Sequence, residues 1–184
     1  MTRKRTNILE LCIIGLATAL ICVIAPISIP LPLGVPITLQ TFIITLLAIT
    51  LGPKRAVIST SLYVLLGSLG LPIFSNYTGG WQMLVGPTGG FILSFPLMAY
   101  MIGYASNRRK HKNLFTIIGI SMATFVNFIC GISMFCIITK SNLPVGITTC
   151  ALPFILPSII KAVLAYIVGI ELKKRIKFLT NEMD

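Results

Sequence analysis

Acidic residues are almost absent from this chain of 184 residues. There are four Asp and Glu in all, and none falls between Glu10 and Glu171. In a membrane that gap excludes a carboxylate relay for protons or sodium. It also leaves any cation in the central region without an acidic partner. Charge of either sign is scarce, at 10% of residues, where a soluble domain carries about 25%. So little charge cannot clothe a water-facing surface. With 55% hydrophobic residues and a mean hydropathy of +0.95, the apolar excess must face lipid. A phosphate loop is missing too. Gly86-Pro87-Thr88-Gly89-Gly90 is glycine-rich, but no Gly-Lys-Ser/Thr closes it. No motif here hydrolyses ATP, and neither an enzyme nor a bound cofactor is expected. Cys12, Cys22, Cys130, Cys136 and Cys150 lack metal-ligand spacing, so small buried hydrophobes are their default role.

The basic residues are plentiful, giving a net charge of +11. In a soluble protein that would point to nucleic acid. Here the charges stand in blocks between apolar runs, and the aromatics lie inside the runs, which is wrong for a stacking groove. No nucleic-acid partner is expected. Taking roughly 20 apolar residues per crossing, six spans are expected, at about 8–27, 37–51, 56–71, 84–102, 114–138 and 151–170. Residues Ile8 to Ile27 follow Arg3, Lys4 and Arg5 like a signal peptide. The run is too long for one, and Pro30 and Pro32 stand where a small-residue cleavage site would be, so it reads as a retained span.

A six-span zigzag puts four basic blocks on one side: Arg3, Lys4 and Arg5; Lys54 and Arg55; Arg108, Arg109, Lys110 and Lys112; Lys173, Lys174, Arg175 and Lys177. Only Lys140 falls opposite and Lys161 within a span. By the positive-inside rule that side is the cytoplasm, with a modest attraction to anionic membrane lipid. The expected fold is therefore an all-α integral membrane protein, one membrane domain over residues 1–184, with six transmembrane helices and both termini cytoplasmic. Asn76-Tyr77-Thr78 matches a glycosylation acceptor, a three-residue pattern common by chance.

Polar residues in apolar runs carry the functional signal. Lys161 stands ten residues before Glu171, about 15 Å of helix, and a Lys at such depth costs roughly 2.5 to 3.5 kcal/mol. Two readings stand side by side. The side chain either snorkels to the outer interface, or a bound anion supplies the partner that the sequence withholds. Gln40, with Thr38 nearby, either pairs with a neighbouring helix or contacts a ligand. Asn127 reads as an interhelical hydrogen-bonding residue. Gly86, Gly89 and Gly90 permit close approach, either to another helix or to a flat solute. Phe74, Trp81 and Phe91 are candidate walls of a pocket beside them. Gly15 and Ala19 form a small-residue face, equally suited to internal packing and to docking another membrane helix.

The segments "VPITLQTF", "LGPKR", "YVLLGSLGLPIF", "GGWQMLVGPTGGFILSFPL" and "LPFILPSIIKAVLA", in this order from about Pro36 to Ala165, carry a likeness. They resemble the biotin-specific, substrate-binding S components of energy-coupling factor (ECF) transporters, the BioY family. The resemblance implies a six-helix protein of the bacterial plasma membrane holding biotin near the extracellular face. Its implied partners are a transmembrane coupling subunit, docked on the Gly15/Ala19 face, and two ABC ATPase subunits. It implies ligand-binding roles for Thr38, Gln40, Asn76, Thr88, Gly89, Gly90, Phe91, Ser158 and Lys161. Phe74 and Trp81, as candidate walls, and Tyr63, for its polar handle, join them as candidate ligand-binding residues. Phe91 replaces the family's usual Tyr, Ser94 a Gly, and Ser158 the Asp of its "PGDLIK" segment. Two rivals remain at this point: a self-contained facilitator for biotin or a related small carboxylate, and a non-transporting structural membrane subunit.

Overall fold

The computed structural model describes residues 2–30, 35–108 and 112–181, with the side chains of residues 2–7, 112 and 177–181 outside the description. Of the basic residues above, Arg109 and Lys110 lie outside the described residues. The described chain is helical throughout, apart from one short ribbon. The first helix, α1, runs Thr2–Ile24. The proline-rich stretch that follows forms two short antiparallel strands, β1 Ser28–Ile29 and β2 Ile37–Thr38, with Ser28 opposite Thr38. Then come α2 Gln40–Leu51 and α3 Pro53–Ser68. A single 3₁₀ turn at Ser75–Tyr77 leads to a one-turn helix, α4 Gln82–Val85. The remaining helices are α5 Gly89–Ser106, α6 Lys112–Thr139, α7 Leu143–Cys150 and α8 Leu152–Asn181.

Local chemistry accounts for the breaks. Gly52 takes φ +80°, which a side chain resists, and its N–H closes α2 on the Ala48 carbonyl. Pro53 then opens α3 at the position where its missing N–H is harmless. The fourth expected span begins later than the apolar pattern suggests, at Gly89 and not Leu84. Gly86-Pro87-Thr88 separates α4 from α5. Where the third span was expected at 56–71, the helix α3 runs 53–68. Between the fifth and sixth expected spans, where the sequence analysis assigns no element, lies the short helix α7. Three helical segments, Gly89–Ser106, Asn113–Thr139 and Leu152–Ile176, are long and apolar enough to cross a membrane. Ile8–Ile24 and Gln40–Leu51 are shorter apolar helices.

The core collects Ile44, Ala48, Ile49, Tyr63, Phe74, Phe95, Met98 and Ile102, all buried, from α2, α3, α5 and the loop before α4. Helices α5 and α6 pack most extensively. Gly90 makes that possible, because a Cβ there would fall on the Cys130 carbonyl and lie 2.8 Å from Met134 Cβ. Between α1 and α3, Thr18 Oγ1 donates to the Ser59 carbonyl at 3.4 Å and Ser59 Oγ to the Ile14 carbonyl at 3.3 Å. Apolar side chains also cover the outside. Ile155, Ile159, Val163 and Ile167 recur along α8, and Ile118, Met122, Phe125 and Ile129 along α6, all exposed. Such a surface is stable in hydrocarbon and not in water. The chain has an all-α, multi-span membrane fold.

Polar contacts mark the two ends of the bundle. At one end Arg55 pairs with Glu10 at 3.7 Å, and a Cβ on Gly52 would touch Asn107. There Lys173 Nζ donates to Asn107 Oδ1 at 2.8 Å and to the Ser106 carbonyl at 3.1 Å, tying α8 to the C-terminus of α5. A cation at that helix end suits the dipole. The ribbon and the first turns of α2, α5 and α8 face the other end.

Candidate functional site

Between those first turns and the middle of α6 lies a cavity of about 590 Å³ of empty space, its open mouth included. Its walls draw on every layer around it. Thr38, Gln40 and Thr41 come from β2 and α2, Ser75 from the 3₁₀ turn, Thr88 and Phe91 from the start of α5. Thr124, Asn127 and Phe128 come from α6, Phe154, Ser158 and Lys161 from α8, and Val35, Pro36, Ile92 and Phe95 complete the lining.

Helical spacing sets the α8 wall. Phe154, Ser158 and Lys161 are separated by four and three residues, so they share one face. Lys161 Nζ donates to the Thr38 carbonyl at 3.0 Å, drawing α8 against the end of the ribbon. An ammonium has three protons to give, and no Asp or Glu lines this cavity.

Opposite stands Gln40, 5% exposed. Its Nε2 donates to Tyr63 Oη at 2.7 Å, and its Oε1 accepts from Thr38 Oγ1 at 3.1 Å. Tyr63 is fully buried and meets Phe74 edge-on, ring centres 5.5 Å apart. The Phe74 ring packs on Gly67. Tyr63 and Phe74 therefore stand behind Gln40 and orient it without reaching the cavity. Thr41 Oγ1 is buried and has no hydrogen-bond partner among the described residues. Since buried polar atoms are nearly always paired, an orphan on a cavity wall marks where an occupant would bond.

Six of the twelve residues expected at the site line the cavity: Thr38, Gln40, Thr88, Phe91, Ser158 and Lys161. Of the three aromatics expected to wall it, only Phe91 does, its ring packed on Gly131. Phe74 turns inward, and Trp81 lies at the surface, 69% exposed, before α4. Gly89 and Gly90 are buried beneath α6 and the Leu84 carbonyl, acting as close-packing positions. Asn76 is exposed with φ 56°, and its Oδ1 accepts from Ser28 Oγ at 2.8 Å, which fastens the turn to β1. Its neighbour Ser75 reaches the cavity instead.

Thr41, Phe95, Thr124, Phe128 and Phe154 escaped the sequence reading. Phe154 could have been found by extending the Ser158–Lys161 face back one turn. Asn127 makes the interhelical bonds expected of it, to the Phe91 carbonyl at 3.1 Å and Ser94 Oγ at 2.7 Å, and also borders the cavity. On the outer side of α1, Gly15 and Ala19 are exposed, and a Cβ on Gly15 would have nothing within 4 Å.

One cation, several hydroxyls, two amides and aromatic walls suit the binding of a partly apolar molecule with oxygen acceptors. Residues 1–178 match the model of the BioY family. Among curated relatives, a biotin transporter BioY of Thermotoga maritima is 38% identical over 161 residues, covering 87% of this chain and 93% of its own length. A biotin transporter BioY2 of Lactococcus lactis subsp. cremoris is 32% identical over 182 residues, covering 97% and 100%. In fold, the chain resembles a crystal structure of the S-component for biotin from an ECF-type ABC transporter. The TM-score is 0.84, at 24% identity, over 92% of this chain and 93% of that one. On the match over residues 1–178 and on these relatives, this chain belongs to the BioY family.

Proposed function

We infer that the chain captures biotin at the membrane, as the substrate-specific component of an ECF-type ABC transporter. The observation that carries this reading is the cavity holding Lys161 without an acidic partner, in a chain whose BioY relatives are named biotin transporters. Biotin is an apolar bicycle and valeryl chain with two polar ends. Phe91, Phe95, Phe128 and Phe154 would bury its apolar parts. Lys161 would donate to one of its acceptor oxygens, of the carboxylate or of the ureido carbonyl. Gln40, Thr41 and Ser158 would complete its hydrogen bonds.

We read six crossings, α1, α2, α3, α5, α6 and α8, with both termini in the cytoplasm. In support, Arg55, Arg108 and Lys173 belong to three separate basic blocks, and Arg55 and Lys173 lie at the end of the bundle away from the cavity. The mouth then faces outward. The exposed Gly15/Ala19 face of α1 would dock a transmembrane coupling subunit. ATP hydrolysis on two separate ATPase subunits would reorient the loaded protein and release biotin inward. Burial before reorientation prevents a continuous leak.

The test is direct: purify the chain without added ligand, denature it, identify any released small molecule, and titrate the ligand-free protein with biotin. Saturable biotin binding supports the assignment. No binding in the titration rejects it, and uptake by vesicles holding this chain alone would favour a self-contained facilitator.

A further inference from the structure

The cavity lacks a carboxylate, so the N–H donors of any occupant must find neutral acceptors. Two side-chain amides border it, Gln40 and Asn127. The Gln40 carbonyl is already engaged, accepting from Thr38 Oγ1 at 3.1 Å. Asn127 is oriented the other way by its surroundings. Ser94 Oγ gives its single proton to the Phe91 carbonyl at 2.9 Å, so toward Asn127 it can only accept. The Phe91 carbonyl can only accept as well. Both neighbours of the amide are therefore acceptors, and Nδ2 donates toward both, at 3.1 and 2.7 Å. Reversing the amide would set its oxygen 3.1 Å from the Phe91 carbonyl oxygen, which can only accept. With Nδ2 held there, Oδ1 makes no hydrogen bond among the described residues.

We propose that Asn127, locked by Ser94 and the Phe91 carbonyl, determines specificity by accepting a hydrogen bond from a ureido N–H of the ligand. This rests on the biotin reading above. A site built around a pinned acceptor rejects analogues that lack the matching donor, because the acceptor is then left buried and unpaired. Asn127 is only 4% exposed, so a ligand that fills the cavity covers its Oδ1. Ser94 is a positioning residue in this scheme, since it acts through the amide it holds.

The experiment titrates the purified full chain in detergent with biotin and with biotin methylated on one or the other ureido nitrogen. For the wild type, one methylated isomer should bind at least roughly tenfold more weakly than biotin. Asn127→Leu keeps the branched shape and removes every polar atom. It should weaken biotin roughly tenfold and bring that isomer to within about twofold of biotin. Ser94→Gly releases one of the two bonds on the amide and should give an intermediate discrimination. If Asn127→Leu does not fold, Ser94→Gly decides alone. Wild-type discrimination retained in whichever variants fold overturns the assignment, as does equal binding of all three ligands by the wild type. A wild-type chain that binds no biotin overturns the biotin reading itself, and this assignment with it.

Discussion

Lys161 Nζ lies 3.0 Å from the carbonyl oxygen of Thr38, a residue 123 positions earlier in the chain. That bond joins the last long helix to the ribbon that borders the cavity. It occupies one proton of the ammonium and leaves the others for an occupant.

Replacing Lys161 with Ala should weaken biotin binding strongly. A hydrogen bond to a charged group is worth roughly 1.5 to 3 kcal/mol, or about 10- to 150-fold in affinity. The variant should stay monodisperse in detergent, because the lysine makes one described bond and the core lies elsewhere. An unchanged dissociation constant by calorimetric titration would exclude the role given to the ammonium.

Tyr63→Phe removes only an oxygen, but that oxygen accepts from Gln40 Nε2 at 2.7 Å inside the core. A buried amide without its partner costs about 1 to 3 kcal/mol. The variant should melt earlier than the wild type and bind more weakly, since Gln40 loses its fixed orientation. Wild-type thermal midpoint and affinity together would show that Gln40 is held by something else.

Gly90→Ala and Gly15→Ala form a matched pair. A Cβ at Gly90 meets the Cys130 carbonyl across the α5–α6 contact, whereas one at Gly15 meets nothing. Overpacking of this kind typically costs 1 to 3 kcal/mol. Thermal unfolding in the same detergent should therefore separate the two variants, with Gly90→Ala the less stable. Equal midpoints would contradict the close crossing.

Gly15→Leu combined with Ala19→Leu places two large side chains on the exposed face of α1. Biotin titration should be unaffected, since neither residue borders the cavity. Co-purification with the coupling subunit should fall below detection. A complex recovered at normal yield would move the docking surface elsewhere.

The sequence was most legible where the solvent imposes a length. Apolar runs as long as α6 and α8 have one stable environment. Lys112 and Lys140 bracket α6, whereas α8 starts beside Pro153 but continues past the expected 170 through the basic block to Asn181. The Gly86-Pro87-Thr88 break was visible, but which side of it would begin the long helix was not. Helix α7 was hidden because Pro144 sits at its start, where proline is tolerated, and reads as a loop signal instead. Lys161 stood out because an ammonium among apolar residues is costly wherever it points. Trp81 and Phe74 did not resolve, since an aromatic beside a glycine-rich turn can face a pocket, a core or lipid with equal ease. Thr41 is one of many threonines, and its missing partner exists only in three dimensions. Asn127 signalled a contact between helices, but the direction left to its oxygen depends on Ser94, which packing alone brings beside it.

An ammonium in a cavity without an acid also has an electrical consequence. In the proposed cycle, loading a monovalent anion cancels one positive charge, so the occupied site would cross the bilayer neutral and the vacant one as a cation. Turning a vacant site back toward the outside of a cell with a negative interior works against the field, by about 2.3 kcal/mol per full charge at 100 mV. In that cycle voltage would weigh on the recovery stroke and leave delivery untouched.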